Sequence, residues 1–228
     1  MKSYINIPES EKDKLEQFIR GSLLGDGSIP KPKRQGNNCW IKFGHSIKQE
    51  CYINWKREFL SSYDLENGIS IYEHFSSRYK IGSCKTIHTY SKVHPIFTEY
   101  RNLYYPNGSK ILNREDFIKI NEFSLAIWYM DDGNVWNRKK KSSCITMNTQ
   151  SFTKEDVLFM IEFLYKKWRI LCTYNKSDNT IRISSKSSQE FVNLITPYIL
   201  DCMKYKTVLV KLGELLETHQ LKGNQQPI

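Results

Sequence analysis

Long hydrophobic runs are missing from these 228 residues. With no stretch of about 18 apolar residues, a membrane-spanning helix is excluded. The beginning of the chain is polar and carries Glu9, Glu11 and Asp13, so no signal or transit peptide is expected. Paired metal-binding spacings are missing too. The cysteines, Cys39, Cys51, Cys84, Cys144, Cys172 and Cys202, contain no CxxC pair. The histidines, His45, His74, His88, His94 and His219, contain no HxxxH or His–Cys zinc spacing and no His–His pair. A zinc site and a secreted disulfide framework are therefore not expected. The cysteines read instead as reduced, mostly buried thiols of an intracellular protein, and the histidines as satisfied structural side chains. Without GxGxxG, P-loop or nucleophile elbow, the common small-molecule enzyme classes lose their signatures. No low-complexity linker divides the chain.

What the sequence does contain fits a folded globular protein, with 39% hydrophobic and 13% aromatic residues. Thirty-four Lys and Arg stand against 24 Asp and Glu, a formal net charge of +10. Such an excess favours polyanions, because lysine and arginine release counterions condensed on phosphate. Charge alone leaves open a merely solvated basic surface.

Landmarks recur along the chain. A helix is predicted over 11–25, with Ser10 as its cap, Asp13 three residues on, and Leu15, Phe18, Ile19 and Leu23 at helical spacing. Gly27 stands just past its end. A second helix, over 122–131, carries Leu125, Trp128 and Tyr129 and is followed by Gly133. Each precedes a β-rich stretch, 39–44 and 144–149. A capped helix follows each: Ser46 with Gln49 opens 47–62, and Thr153 with Asp156 opens 154–168. Hairpins are predicted around 69–75 and 79–90, and around 170–175 and 180–185, the second turning at Ser177-Asp178-Asn179. An apolar helix closes each half, 93–104 and 188–202. Twenty residues separate Asp26 from Ser46 and 21 separate Asp132 from Thr153. The shared order points to two diverged copies, 1–113 and 114–228, and a pseudo-two-fold pair suits the two-fold symmetry of duplex DNA.

Two segments carry the chemistry: Ile19-Arg20-Gly21-Ser22-Leu23-Leu24-Gly25-Asp26-Gly27 and Leu125-Ala126-Ile127-Trp128-Tyr129-Met130-Asp131-Asp132-Gly133. Each is an apolar helix ending in Asp-Gly. Glycine past a helix end is common, but a carboxylate there faces the negative end of the helix dipole. Twice over, in matched settings, that placement calls for an offsetting cation, and a divalent metal is the natural one.

Both segments resemble the LAGLIDADG motif of homing endonucleases of the single-chain, two-motif type. The resemblance is strengthened downstream by Met147-Asn148-Thr149-Gln150-Ser151-Phe152-Thr153 and Met203-Lys204-Tyr205-Lys206, and covers about residues 15–207. It implies an α+β fold of two pseudo-symmetric αββαββα units, with central motif helices and saddle-shaped antiparallel DNA-binding sheets. It also implies a monomer that makes double-strand breaks in a long DNA target by metal-dependent phosphodiester hydrolysis, leaving short 3′ extensions and propagating an intron or intein. The implied cofactor is Mg²⁺, for which Mn²⁺ can substitute. Asp26 and Asp132 take the acidic position as metal ligands, beside Gly25 and Asp131. Asp131 is given a supporting role. Lys110, in Asn107-Gly108-Ser109-Lys110, and Lys206 match the family's active-site lysines, with Lys204 as the rival of Lys206. Such a lysine can polarise the attacking water or steady charge on the phosphorus centre. Gly21, Gly25 and Ala126 would let the motif helices approach closely, while Ile127 and Asp131 depart from the small-residue pattern and make that packing uneven.

Basic residues on strands and loops are the expected DNA contacts: Lys31, Lys33, Arg34, Lys42, Arg78, Lys80, Lys85, Arg138, Lys139, Lys140, Lys141, Lys176, Arg182 and Lys186. Alternate strand residues share a face, so Arg78 with Lys80, or Arg182 with Ser184, would point together. Phosphate contact is the default role for each. Trp40 and Tyr72 read as sheet-packing residues, and Trp136 as a possible DNA contact. The expected site of action is an organelle matrix or a bacterial or phage-host cytoplasm, with no membrane partner. An RNA maturase that assists splicing of the host intron, and a non-catalytic DNA-binding protein on the same scaffold, are the alternatives. Retention of both acids and both lysines favours the nuclease.

Overall fold

The computed structural model describes residues 7–32, 37–75, 83–138 and 142–209. They form helix α1 (Glu9–Leu24), strand β1 (Lys42–Ser46), α2 (Glu50–Ser61), β2 (Glu66–Phe75), β3 (Ser83–Ser91), α3 (Pro95–Tyr104), α4 (Arg114–Phe117) and α5 (Glu122–Asp132). The chain continues through β4 (Gly133–Arg138), β5 (Ser142–Asn148), α6 (Lys154–Trp168), β6 (Cys172–Asn175), β7 (Thr180–Ile183) and α7 (Ser188–Ile195). The expected mixture of helices with two antiparallel sheets is present. From α5 onward the order of one helix, two strands, one helix, two strands and one helix is complete. In the first repeat the opening strand is reduced, among the described residues, to a single bridge between Ser28 and Lys42.

Two compact units emerge. One holds the chain up to Asp131 together with Leu200–Cys202; the other holds Asp132–Ile199 and the chain from Met203 onward. The body of α5 thus packs in the first unit, although its sequence opens the second repeat.

In the first unit the strand order is β1-β3-β2, antiparallel throughout. Alternation explains which face is covered. Phe43 and His45 of β1, with Ile87, Thr89 and Ser91 of β3, are buried on the side where α2 packs. The core is aromatic: Phe18 stacks on Phe59 at 4.1 Å and meets Phe43 at 5.5 Å, while Trp55 and Phe59 both reach Phe123. Full burial of one such side chain stabilises the fold by roughly 1.5–3 kcal/mol.

Close approach of α1 and α5 depends on glycine. A Cβ on Gly21 would lie 2.5 Å from the Ser124 carbonyl oxygen and 2.9 Å from Ile127 Cβ. A Cβ on Gly25 would lie 2.4 Å from Asp131 Cβ. The two large residues of the second motif therefore sit opposite the two glycines of the first, which is why the uneven pattern packs. Polar bonds fix the same crossing: Gln17 accepts from the Asn121 amide at 3.0 Å and donates to the Lys119 carbonyl at 3.0 Å. Arg20 Nε donates to Asp116 Oδ1 at 2.9 Å, and the Tyr104 hydroxyl to Asp116 Oδ2 at 3.0 Å.

The second unit has strand order β4-β5-β7-β6, again antiparallel. Ile145, Met147, Ile181 and Ile183 line its buried face, and α6, over β6 and β7, buries Val157, Met160 and Leu164. Thr153 caps α6 as expected: its hydroxyl accepts from the Asp156 amide at 3.2 Å and donates to the Asp156 carboxylate at 2.9 Å. Asn179 turns the β6–β7 hairpin with φ 51°.

Some expectations fail for identifiable reasons. Ser10 does not cap α1. The carbonyl of Pro8, itself held at φ −56°, already accepts from the Glu11 and Lys12 amides, so the helix starts two residues earlier, at Glu9. The closing helix stops at Ile195 because Pro197 cannot donate, and 3₁₀ turns (Thr196–Tyr198, Asp201–Thr207) follow. Cys51 and Cys202 are not free thiols. They form a disulfide across 151 residues of sequence, which the fold permits by bringing their Cα atoms to 6.6 Å. Cys39 is a buried free thiol, while Cys84, Cys144 and Cys172 are free and half-buried. No described helix is long and apolar enough to cross a membrane.

Candidate active site

The first motif helix ends in a tight wrap. The Gly25 and Gly27 amides both donate to the Ser22 carbonyl, at 3.2 and 2.8 Å. A Cβ on Gly27 would lie 2.5 Å from that oxygen, so only glycine lets the chain leave here. This turn presents the Asp26 side chain to solvent at 41% exposure, while its backbone amide donates inward to Asp131 Oδ2 at 3.2 Å.

Around Asp26 lies a cluster that the motif spacing predicted only in part. His45 Nδ1 stands 3.3 Å from Asp26 Oδ2, and His45 Nε2 stands 3.6 Å from Asp131 Oδ1. One ligand atom from each of Asp26, His45 and Asp131 can be chosen so that all lie within 4.8 Å of one another. Asp131 itself is sealed from solvent. Lys56 Nζ, equally sealed, donates to its two oxygens at 2.7 and 3.0 Å. The ammonium also lies over the rings of Phe43 and Tyr52, at 4.7 and 4.6 Å from their centroids. Asp26 faces water; Asp131 faces a buried cation.

Lys110 reaches the same helix end, its Nζ donating to the Gly25 carbonyl at 3.0 Å. Its loop is held from both sides. Gly108 turns at φ 85°, the Gly108 amide donates to the Tyr105 carbonyl, and the Ile111 amide donates to the Tyr104 carbonyl at 2.9 Å. The Tyr105 hydroxyl accepts from the Ile29 amide at 3.4 Å, and Arg101 donates to the Ile29 carbonyl. Below it, burial and then the charge and hydrogen bond of Asp116 push the Tyr104 hydroxyl well above its ordinary range, so it stays a proton donor.

In the second unit, Asp132 is half-buried at the end of α5, and β4 begins at once with Gly133 opposite Met147. Lys206 is buried in the Asp201–Thr207 turn, whereas Lys204 is exposed.

The expected DNA contacts divide by face. Lys42 projects from the open side of the first sheet, alongside Thr86, His88 and Tyr90 by register. Tyr72 is on that open side too, against expectation. It is exposed, its hydroxyl 3.0 Å from that of Tyr90 and its ring edge against His88. Burial, then the bond with Tyr72, push the Tyr90 hydroxyl up to about 12. Lys85 is exposed but alternates with the covered residues Ile87 and Thr89, opposite Glu73. On the second sheet Arg182 and Trp136 are exposed, and Arg182 pairs by register with Thr146 and Thr173. Lys31, Lys176 and Lys186 are exposed on loops and turns. Lys33, Arg34, Arg78, Lys80, Lys139, Lys140, Lys141 and His219 lie outside the described residues, as does the side chain of Arg138.

Two members of the cluster escaped the sequence reading. His45, expected to be structural, belongs to the site; its signal was its alternation with Phe43 on a strand shortly after the motif. The signal for Lys56 was sharper, because it falls on the buried stripe of α2 with Tyr52, Ile53 and Leu60.

Known proteins resemble this chain in sequence and in fold. A sequence profile described as "LAGLIDADG DNA endonuclease family" matches residues 16–191. The "Probable intron-encoded endonuclease 1" of Wickerhamomyces canadensis is 31% identical over 199 residues, covering 84% of this chain and 82% of that protein. The "Cytochrome b mRNA maturase bI2" of Debaryomyces hansenii is 28% identical, covering 89% of this chain and 76% of that one. Among solved structures, the homing endonuclease I-WcaI bound to its DNA recognition sequence superposes with a TM-score of 0.72 at 28% identity, covering 91% of this chain and 96% of that chain.

Proposed function

Because this chain belongs to the LAGLIDADG DNA endonuclease family, we propose that it is a site-specific homing endonuclease that cuts both strands of a long duplex target as a monomer. The observation that carries the reading is the end of α1, where a solvent-facing carboxylate, Asp26, adjoins a carbonyl held by Lys110. An acid that binds a hard cation and a lysine that steadies a phosphate are what phosphodiester hydrolysis requires.

The donors fit a divalent ion: Asp26 offers carboxylate oxygen at the surface, with the Gly25 carbonyl and the His45 imidazole beside it. Asp26 and the Gly25 carbonyl would hold Mg²⁺ or Mn²⁺ in the first unit, and Asp132 would hold it in the second. Bound there, the ion supplies an activated water and neutralises the leaving oxygen. His45 orients the Asp26 carboxylate, and Lys110 places a positive charge beside the reacting phosphate. Lys206 has the corresponding role in the second unit. Lys42 and Arg182, on the open faces of the two sheets, bind the DNA backbone.

The test is cleavage of a library of candidate duplex sites, with Mg²⁺ and with EDTA. The reading expects linear products from a small set of related sites in Mg²⁺ only. Absence of cutting at every site in Mg²⁺ and in Mn²⁺ would overturn it. The likeness to a curated maturase supports a second reading, assistance to splicing of a host intron. Splicing of that intron with and without the protein distinguishes the two, and both activities can reside in one chain. Either reading places the protein where its target resides, in an organelle matrix or a bacterial cytoplasm.

A further inference from the structure

Asp131 lies beside the metal-binding acid of the first unit, yet its carboxylate is already neutralised from within. We propose that Lys56 is a positioning residue for the candidate active site: a built-in cation that occupies Asp131, so that Asp131 fixes the backbone of Asp26 instead of competing with it for the divalent metal. The inference rests on reading Asp26 as the metal ligand.

Three observations support it. Lys56 Nζ reaches both oxygens of Asp131 at 2.7 and 3.0 Å, with both side chains fully removed from solvent. Asp131 Oδ2 also accepts the Asp26 amide at 3.2 Å, which ties the carboxylate to the chain bearing the ligand. Ligand atoms of Asp26, His45 and Asp131 stand within 4.8 Å of one another, close enough for one ion to reach all three. Two carboxylates and an imidazole would be a tighter cation site than one carboxylate at the surface, and a deeper one. The ion would then be drawn inward, away from the phosphate that Asp26 faces. Lys56 prevents this by filling that place with an ammonium. The rings of Phe43 and Tyr52 flank the ammonium and help keep it there.

The test compares the intact chain with Lys56→Met and with the double variant Lys56→Met/Asp131→Asn. The amide of residue 131 in the double variant can still accept the Asp26 N–H. Free Mn²⁺ is followed by electron paramagnetic resonance during titration, plasmid cleavage is timed at saturating Mn²⁺, and folding is checked by circular dichroism. Lys56→Met is expected to bind Mn²⁺ more tightly, by about tenfold, because an attracting carboxylate replaces a neutral pair. It is expected to cleave more slowly, by about 10- to 100-fold, the usual effect of losing a group that orients a ligand. The double variant should return the Mn²⁺ affinity to near the original value and cleave faster than Lys56→Met, and this rescue separates positioning from mere structural support. Where Lys56→Met does not fold, Lys56→Gln takes its place, with an amide that can still donate to Asp131.

Unchanged or weaker Mn²⁺ binding by the folded single variant overturns the proposal. So does a folded double variant that remains as slow as the single. If the unmodified chain binds Mn²⁺ but cuts no DNA, the nuclease reading fails while the Mn²⁺ titrations still decide the role of Lys56.

Discussion

Replacing Gly25 by alanine adds one methyl group at the most crowded point of the motif. The new Cβ would lie 2.4 Å from Asp131 Cβ, 2.7 Å from Oδ2 and 2.9 Å from Cγ. Carbon atoms in contact settle about 3.5–4.0 Å apart, so Asp131 must retreat by about 1 Å or more. That retreat breaks contacts of 2.7 and 3.0 Å to Lys56 and one of 3.2 Å to the Asp26 amide. Overpacking alone costs about 1–3 kcal/mol. Separating a buried ion pair costs about 3–5 kcal/mol when one charge is left uncompensated. Partial relaxation lets the two overlap, so a loss of about 3 kcal/mol is expected, a fall in Tm of about 6–12 °C for a chain of this size. Differential scanning fluorimetry measures the shift, and plasmid cleavage below the new Tm measures the displacement of Asp26. A variant that melts within about 1 °C of the original and cuts at the original rate would refute the packing argument.

Two further substitutions probe the buried polar bonds and the open face of the second sheet. Asp116→Ala takes from the Arg20 guanidinium one of its two carboxylate partners, leaving Glu16 at 2.7 Å, and leaves the Tyr104 hydroxyl without its acceptor inside the fold. A loss of about 2–3 kcal/mol is expected in urea unfolding, from an unsatisfied hydroxyl and a weakened ion pair, and a loss below about 1 kcal/mol would show that the pair is dispensable. Arg182→Ala removes an exposed charge from the open face of the second sheet. DNA affinity should fall and the slope of log K against log salt should shrink by about one; an unchanged slope would remove Arg182 from the interface.

The legible part of this molecule was whatever local chemistry announces. Helix periodicity located α1, α5 and α6, Thr153 declared its cap, and Asn179 declared its turn. Gly21 and Gly25 were recognised as points of close approach, but their partners were not. That Ile127 and Asp131 lie opposite them is a property of how two helices meet. The opening strand of the second repeat, Gly133–Arg138, was missed because it follows Asp132 without a break and its pairing partner is needed to define it. Both motif acids stood out as carboxylates at helix ends, and Lys110 was named through the family resemblance; its contact with the Gly25 carbonyl is tertiary. His45 and Lys56 were not, since a histidine on a buried strand and a lysine in a helix are usually structural and solvated, respectively. Only tertiary contact turns them into a chain leading to Asp26. The Cys51–Cys202 bond is of the same kind: no spacing rule joins residues 151 apart.

In the proposed function Asp26 and Asp132 hold the metal for hydrolysis and are not merely structural. Once a cleaved site is in hand, Asp26→Asn and Asp132→Asn should each be assayed for DNA binding and for conversion of supercoiled plasmid to linear product in Mg²⁺. Both variants are expected to bind the site with near-original affinity, and neither is expected to yield linear DNA. Linear product formed at the original rate by both variants would contradict the proposed function.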